Sequence, residues 1–414
     1  AQSNPLYTLL IRAEAAPAPA QAIDVLFRQV ADAPHHAITV RQHLLDLYST
    51  VCPECGQRLP ADYFVWNREP MTLVAKGYRC PSCGAGGEAP ATAADQELAA
   101  GYQEKGLAYW RAVHRIASRG DPTYERVQAL LGLYTGRNLY ALLQLTTRAE
   151  SFQPPNAPLA AARDARDAIL LECLDRGASL DSPTREGRLA RLGPPAQFLE
   201  RNVWRLFAEA CENARRRAAQ PALPFSDSLA PPLEGAVIVT ANIAQLRRAL
   251  PAHAADLIIA APPPASPAVW TLSFLWTAWL YGKESAAGLA PWLKRHSTDW
   301  NWYAEVMGLT LSSLGRLLAP DGRVVLALRT DQERWPEALL LAAGQAELRL
   351  DGLALQPAGA AVEYRLVLRR EGALRPAASP AADDAGALGD ALRRAGRLGA
   401  LTILRARGEP TPGP

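Results

Sequence analysis

The stretch Asp256-Leu257-Ile258-Ile259-Ala260-Ala261-Pro262-Pro263-Pro264 is the clearest indication of the fold. The four apolar residues after Asp256 are typical of a central parallel strand that is covered on both faces. The prolines that follow cannot extend a hydrogen-bonded ladder, so we expect a rigid loop where the strand ends. In open α/β sheets, ligands bind at this carboxyl edge. The sequence therefore predicts a ligand-binding loop at residues 261–264.

Strands and helices alternate in the chain after residue 233. The patterns predict strands at 237–240, 257–260, 323–328, 347–350 and 362–368, and helices at 243–250, 270–281, 303–318 and 332–343. An Asp321-Gly322 turn is expected before the third strand, and the last two strands are expected to pair antiparallel. This alternation predicts the α/β class, with a doubly wound, mostly parallel sheet.

The composition is that of a globular protein. Hydrophobic residues make up 49% of the 414 residues, and no run approaches the ~20 apolar residues that span a bilayer. Because no signal peptide is evident, we expect a cytoplasmic protein with no membrane partner. The formal charge of +3 is compatible with nucleic acid but is weak evidence for it. The chain begins at Ala1 and has only two methionines, so we expect a fragment or a processed chain.

Four of the six cysteines form two Cys-x-x-Cys-Gly sequences, Cys52-Pro-Glu-Cys55-Gly56 and Cys80-Pro-Ser-Cys83-Gly84. Each turn places two thiolates on one side of a tight bend, and the glycine accepts the positive φ that follows. Two such turns supply the four soft ligands of a tetrahedral, structural zinc site. Segments 63–66 and 76–79 are then expected to be the two strands of a zinc ribbon.

Other interpretations of these cysteines are a pair of disulfides or a redox Cys-x-x-Cys. Adjacent disulfides fit poorly with a cytoplasmic chain, and redox motifs rarely come as spaced pairs. Cys173 and Cys211 lie on predicted helices and are expected to be small core residues. Basic and aromatic residues interleave in the ribbon, a mixture that can stack on nucleic acid, although a core role for the aromatic rings is favoured. These residues are Arg58, Arg68, Lys76, Arg79, Tyr63, Trp66 and Tyr78.

Four features, in order along the chain, resemble one protein family. They are the cysteine turns, Tyr134-Thr-Gly-Arg-Asn-Leu139, Phe198-Leu-Glu-Arg-Asn-Val-Trp204 and the proline loop. Together they look like the adenine-specific DNA methylases that contain a zinc ribbon, which are class I, S-adenosylmethionine-dependent methyltransferases. The resemblance spans roughly residues 1–370. It implies DNA as the partner and S-adenosylmethionine as the cofactor.

The resemblance also implies how the proline loop would act. In the family, an Asp-Pro-Pro-Tyr loop meets a base that is flipped out of the duplex. The Asp and a proline carbonyl accept hydrogen bonds from the base amine, and the Tyr stacks on the ring. Ala261, Pro262, Pro263 and Pro264 occupy these positions, so the side-chain acceptor and the aromatic ring are both missing. Because positioning of this kind contributes strongly to catalysis, we expect a degenerate catalytic loop.

The cofactor site that the resemblance implies is also incomplete. The glycine-rich loop that follows the first strand in the family is absent from this chain. Asn4 and Pro5 resemble the end of a family Asp-x-Asn-Pro segment, with Gln2 in place of the ribose-binding acid. Ala241 replaces the adenine-binding acid, although Asn242 would remain to hydrogen-bond the adenine. We therefore expect structural zinc and disfavour binding of S-adenosylmethionine.

These interpretations divide the chain into five parts. We expect a helical remnant of the methyltransferase domain, a zinc ribbon, a helical region, a methyltransferase-like α/β region and a flexible, basic tail, at residues 1–50, 51–88, 99–220, 233–370 and 371–414. The last helix of the helical region is predicted from Ala196 to Arg217. Because the first two family strands are missing, we also expect either a longer native protein or direct pairing of the strands at 237–240 and 257–260.

Two functions follow from the sequence. The first is a DNA adenine-N6 methyltransferase-like protein, catalytically impaired in this chain, that binds nucleic acid and carries a structural zinc ribbon. The alternative is a non-catalytic nucleic-acid-binding or scaffold protein that reuses the methyltransferase fold. The substitution at Ala261 favours the second for this chain, and the family resemblance favours the first for its ancestry.

Overall fold

A computed structural model gives the fold and describes residues 4–102, 105–154, 158–183, 192–229, 235–263, 266–294, 299–330, 332, 334–358 and 361–370. The chain divides into two compact units. The first unit holds the described residues up to 228, those at 235–240 and those at 266–294, and the second unit holds the others. Gln2, Pro264 and the tail expected at 371–414 lie outside the described residues. None of the described helices is long and apolar enough to cross a membrane.

Helices make up most of the first unit. They are α1 (Pro5–Ala15), α2 (Ala20–Ala31), α3 (Val40–Asp46), α4 (Ala93–Ala100), α5 (Leu107–Ile116), α6 (Tyr124–Leu131), α7 (Gly136–Glu150), α8 (Leu159–Arg176), α9 (Val203–Arg217), α11 (Pro267–Tyr281), α12 (Lys283–Ala286) and a 3-10 helix (Ala287–Lys294). Its strands are β1 (Pro34–His35), β2 (Ile38–Thr39), β3 (Ser49–Val51), β4 (Arg58–Pro60), β5 (Tyr63–Asn67), β6 (Thr72–Arg79), β7 (Gly86–Pro90), β8 (Gln197–Arg201), β9 (Phe225–Ser226) and β10 (Ala236–Val237). The segment 266–294 is part of this unit rather than of the α/β region predicted at 233–370.

Polar side chains begin two of the central helices by satisfying backbone N–H groups that a helix leaves free. Thr135 caps α7 by accepting from the N–H of Asn138 at 3.2 Å, and Asn202 caps α9 in the same way. The apolar faces of these helices enter one hydrophobic core. Cys173 on α8 and Cys211 on α9 are buried in that core, which confirms the prediction that they are small core residues.

The main sheet of the first unit has the strand order β7-β6-β5-β8, and all its pairs are antiparallel. β5 and β6 are the two ribbon strands predicted at 63–66 and 76–79. The helix predicted from Ala196 is wrong at its start, because residues 197–201 form β8 and pair with β5. The rings of Phe198 and Trp66 lie parallel with centroids 6.3 Å apart, which ties β8 to the ribbon.

The described residues of the second unit form a four-stranded sheet and three helices. Its elements are α10 (Ile243–Ala249), β11 (Ala255–Ala260), α13 (Trp300–Leu317), β12 (Leu318–Thr330), α14 (Arg334–Gln345), β13 (Leu348–Ala358) and β14 (Ala361–Arg370). The strand order is β11-β12-β14-β13. β11 and β12 are parallel, whereas β14 runs antiparallel to both β12 and β13. The antiparallel pair predicted for the last two strands is therefore confirmed.

The strand that the opening stretch predicts is present, but its surroundings differ from the prediction. β11 lies at the edge of its sheet, and Leu257 and Ile259 are 55% and 71% exposed. A central strand covered on both faces is therefore wrong for the described residues, because β11 has a single partner strand there. The fold class is mixed α/β with several small sheets, some of them parallel.

The strand pairing bears on two local predictions. β10 pairs with β9 and β11 pairs with β12, so the described residues show no direct pairing of the strands at 237–240 and 257–260. The Asp321-Gly322 turn was predicted within what is the span of β12, and it falls on an irregularity of that strand. Ala255 pairs with Leu318 and Leu257 pairs with Arg323, so extra residues of β12 leave the ladder between them. A Cβ atom on Gly322 would lie 2.8 Å from the Leu318 side chain and 3.0 Å from the carbonyl oxygen of Asp256, so glycine allows the close approach at this irregularity.

Candidate functional site

The four cysteines of the two Cys-x-x-Cys-Gly sequences lie on two matching backbone turns. One turn joins β3 to β4 and the other joins β6 to β7. The N–H of Gly56 donates to the carbonyl of Cys52 at 3.0 Å, and the N–H of Gly84 donates to the carbonyl of Cys80 at 3.1 Å. The φ angles of the two glycines are 71° and 74°, and an added Cβ would meet no neighbour within 4 Å at either. The left-handed backbone angle, rather than crowding, therefore favours glycine.

The geometry of the sulfur atoms fits a metal ion. The Sγ atoms of Cys52 and Cys83 are 3.7 Å apart, those of Cys55 and Cys80 are 3.6 Å apart, and all four lie within 4.8 Å of one another. These separations are well beyond the ~2.05 Å of a disulfide. In a tetrahedral site with metal–sulfur bonds of ~2.3 Å, the sulfur atoms are ~3.8 Å apart. The four thiols can therefore hold one metal ion, and their softness is consistent with zinc.

The thiol pKa values of the cluster differ, since that of Cys80 is lowered whereas desolvation and hydrogen bonds with the other thiols raise those of Cys55 and Cys83. Hydrogen bonds from the backbone N–H groups of Cys83 and Ser82 lower the pKa of the Cys80 thiol to about 6. Apolar support is small, since Leu59 and Tyr78 are the buried residues that accompany Cys52 and Cys80 in this cluster. A bound ion would thus contribute much of the local folding free energy. Four cysteine ligands leave no open position for a substrate.

A buried lysine fastens the first cysteine turn to the rest of the unit. Lys76 on β6 donates to the Thr50 hydroxyl at 2.7 Å, to the Val51 carbonyl at 3.0 Å and to Asp95 at 3.1 Å. The side chains of Lys76 and Asp95 are 2% and 1% exposed. Lys76 is therefore a structural residue and is not one of the ribbon cations that could reach nucleic acid. Its partners Thr50 and Val51 immediately precede Cys52, so the lysine positions that turn.

The two sequence motifs that follow the ribbon meet in one buried polar network. Arg137 and Glu200, one from each motif, form a two-point ion pair with side chains 1% and 0% exposed. The same carboxylate accepts from Trp66 of the ribbon at 2.8 Å and from the hydroxyl of Thr135. The Arg137 guanidinium also lies 4.5 Å from the ring centroid of Phe64. These motifs hold the ribbon strands against helix α7.

The proline loop directly follows the carboxyl end of β11, beside the parallel strand β12. Ala261 is exposed, Pro262 is buried, and the carbonyl of Pro263 accepts from the Tyr303 hydroxyl at 2.9 Å. Trp335 donates to that hydroxyl in turn, at 2.8 Å. Burial raises the pKa of Tyr303, which keeps the phenol a donor. The loop is thus pinned through Pro263, while Ala261 offers no side-chain acceptor.

The residues that the resemblance assigns to the cofactor have local roles. Asn4 is fully buried, caps α1 through the N–H of Leu6 at 3.0 Å and donates to Ser273 at 2.9 Å, and Pro5 is the first residue of that helix. Asn242 caps α10 through the N–H of Gln245 at 2.9 Å. Asn4 and Pro5 belong to the first unit, and Asn242 belongs with the proline loop to the second. Both asparagine side chains are therefore used in helix caps.

The interleaved aromatic and basic residues of the ribbon differ in how deeply their side chains are buried. Trp66 and Tyr78 are 3% and 8% exposed, as the favoured core role predicts. Arg58 donates to the Ser49 hydroxyl at 2.6 Å, and Arg68 donates to a backbone carbonyl at 3.2 Å. Arg79 is exposed. The ribbon aromatics thus support the fold, and only part of the basic set faces solvent.

Sequence reasoning missed Glu200 and Asp95, which the structure places at the centres of the two buried ion pairs. A signal for Asp95 exists, since Thr92 and Asp95 have the spacing of a capping box and form one at the start of α4. Glu200 carries no such signal. Residues 198–203, Phe-Leu-Glu-Arg-Asn-Val, do not alternate between apolar and polar, so no strand pattern marks Glu200 as buried.

The described residues define a mixed α/β protein in which four clustered cysteines could hold a metal ion. No protein-family model, curated protein or solved structure matches the chain. Its function must therefore be inferred from its own residues and their arrangement.

Proposed function

We propose that this chain is a DNA adenine-N6 methyltransferase-like protein that binds nucleic acid, holds structural zinc and is catalytically impaired at its proline loop. The observation that carries the proposal is the strand order of the second unit beside that loop. In class I methyltransferases, the strand before the catalytic loop pairs in parallel with the next strand along the chain. The last strand then runs antiparallel between that strand and the last but one. β11, β12, β13 and β14 resemble this arrangement in order and direction.

The position of the loop supports the same proposal. It follows the carboxyl end of a parallel strand, which is where open α/β sheets bind ligands. In the proposed site, the carbonyl of Pro262 would accept a hydrogen bond from a base amine. The neighbouring Pro263 carbonyl already accepts a hydrogen bond from the Tyr303 hydroxyl. With Ala261 in place of the Asp, the second acceptor for that amine is missing, so its lone pair is poorly aimed. Methyl transfer is therefore slow or absent.

Zinc is the ion we propose for the four cysteines. It prefers tetrahedral thiolate sites, and the sulfur separations match the edges of such a site. The ion would hold the two turns together and would take no part in chemistry.

A non-catalytic nucleic-acid-binding or scaffold protein is the second candidate, and Ala261 is the observation that favours it. The two candidates differ in cofactor binding. A calorimetric titration of the full chain with S-adenosylmethionine separates them: measurable binding would show that a cofactor site remains despite the missing cofactor residues, and its absence would favour the pure binding module. In either case we expect DNA binding with a steep salt dependence.

A reversion variant tests the catalytic part of the proposal. Ala261→Asp restores the acceptor and is expected to raise N6-adenine methylation of DNA above that of the starting protein. Ala252→Asp adds the same charge at another exposed alanine of the second unit and serves as the matched control. Efficient methylation by the unaltered chain would show that the loop is not impaired. Absence of DNA binding would overturn the nucleic-acid part of the proposal.

A further inference from the structure

Two adjoining cavities open on the α5 and α7 helices of the first unit. The first has a volume of about 400 Å³, and four tyrosines contribute to its lining: Tyr102, Tyr109, Tyr134 and Tyr140. The second has a volume of about 460 Å³ and is lined by His35, His36, Arg111 and Arg148, among others. Arg111, Leu143 and Gln144 line both cavities, so the two adjoin, and we call their combined lining the groove.

The tyrosines of the first cavity are held by their hydroxyl groups. Tyr134 donates to the carbonyl of Leu174 at 2.9 Å, and Tyr140 shares a 2.8 Å hydrogen bond with His43. The rings of Tyr102 and Tyr140 lie 5.8 Å apart at their centroids. Because the hydroxyls of Tyr134 and Tyr140 are already used, these residues offer a ligand mainly their ring surfaces. Such a cavity suits a flat aromatic group.

The second cavity carries positive charge without acidic neighbours. None of the described residues that line the two cavities is Asp or Glu, whereas Lys105, Arg111 and Arg148 are among the lining residues. Arg111 is exposed and is in no ion pair of the described residues. Arg148 donates to the Pro34 carbonyl at 3.4 Å through one terminal nitrogen, and its buried Nε has no hydrogen-bond partner. His35 stacks on His43 with ring centroids 3.8 Å apart. Burial, and then the positive charges of His36 and Arg148, lower the pKa of His35, as expected in a cluster of cations.

We propose that this groove, defined by the linings of the two cavities, binds an unpaired stretch of a DNA strand, with a base against the tyrosines and the adjacent phosphate at Arg111 and Arg148. The proposal rests on the proposed nucleic-acid function and gives it a location. Proteins bind single-stranded nucleic acid with aromatic side chains beside a positively charged groove, because every base can stack on a ring and every phosphate carries a negative charge. An acidic peptide would use the cations but would leave the tyrosine cavity empty.

The test is the binding of a fluorescent oligothymidylate to the full, metal-loaded chain across a range of salt concentrations. Arg111→Gln should lower the slope of log K against log salt by about 0.7, the value for one lost phosphate contact on a single strand. Tyr102→Leu should weaken binding roughly 5- to 150-fold at fixed salt and leave the slope unchanged. Arg119→Gln removes an exposed arginine that lines neither cavity and is the matched control.

Each outcome has a defined meaning. If Arg111→Gln and Arg119→Gln have the same effect, the groove is overturned while DNA binding by the chain stands. Equal competition by a blunt duplex overturns the assignment to an unpaired strand. No binding of any DNA overturns the groove and the proposed nucleic-acid function together. Because Arg111 is exposed, its variant remains informative even if Tyr102→Leu disturbs the fold, which circular dichroism would reveal.

Discussion

The guanidinium of Arg137 and the carboxylate of Glu200 form a two-point ion pair between the first turn of α7 and strand β8, 63 residues apart in sequence. Ring faces of Tyr48 and Phe64 lie 5.1 Å and 4.5 Å from the guanidinium carbon. Both charges are removed from water, so each depends on the other for compensation. The ion pair therefore fixes the position of strand β8 against helix α7.

Removal of one partner of this pair should be strongly destabilising. Arg137→Met leaves Glu200 buried without its counter-charge, and we expect the free energy of unfolding to fall by about 3–5 kcal/mol. Urea denaturation measures it. The control is Arg68→Met, because Arg68 and its partner Glu69 are 52% and 84% exposed, and such a pair contributes about 0–1 kcal/mol. Equal losses for the two variants would contradict a special role for the buried pair.

Metal removal should loosen the cysteine turns and spare the sheet. The turns have little apolar support, whereas Phe64 and Trp66 of β5 belong to the large core. A strong chelator, or Cys55→Ser, is expected to speed hydrogen exchange at residues 52–58 and 80–86 and to leave 63–67 protected. Exchange mass spectrometry reads both regions at once. Cys211→Ala, at a buried cysteine outside the cluster, should retain one metal ion per chain.

Loss of the buried lysine should weaken metal binding without touching a ligand. Lys76→Met removes the donor that holds the residues just before Cys52, so the turn becomes less ordered before the ion binds. We expect metal affinity to fall by about tenfold in competition with a chromogenic chelator. Arg79→Met, at an exposed position of the same strand, should bind the ion as the unaltered protein does. Unchanged affinity in Lys76→Met would rule out this positioning role.

Mild acid should destabilise the first unit through its histidines. Burial, followed by the charge of His35, lowers the pKa of His43 from 6.5 in the folded state. Because the unfolded chain then binds the proton more readily, this effect is absent above about pH 6.5 and stability falls as the pH drops below it. His43→Gln should lose less stability between pH 7 and pH 5 than the unaltered protein. Arg119→Gln, at an exposed arginine, should follow the unaltered profile.

Local features of the fold were predictable, and long-range pairings were not. The cysteine turns, the ribbon strands β5 and β6 and the antiparallel pair of β13 and β14 follow from spacing and alternation within short windows. The identity of residues 197–201 as a strand depends on β5, which precedes them by 130 residues. A segment of five residues with mixed apolar and charged character suits a helix end equally well. Only the partner decides between them.

The residues of the candidate sites likewise differ in whether the sequence alone could predict them. Four ligands with a strong local signature were predictable as a metal cluster. The tyrosine and arginine groove was not, because its residues come from the β1 region, α5, α7 and the segments that follow α4 and α6, and they show no common spacing. Likewise, the use of Asn4 and Asn242 as helix caps could be foreseen only as one option among several for an asparagine before a helix.

Because β8 lies far after β5 in the sequence, the sheet of the first unit is completed late in the synthesis of the chain. A ribosome releases the chain from its N-terminus, so all four thiols and strands β3 to β7 are available while residues 91–201 are still being made. During that interval the outer edge of β5 has no partner and can template wrong pairing with other nascent chains. Early capture of the ion would keep the hairpins in register until β8 closes the sheet. Cells starved of metal should therefore accumulate aggregates of newly made chains and leave mature molecules largely intact.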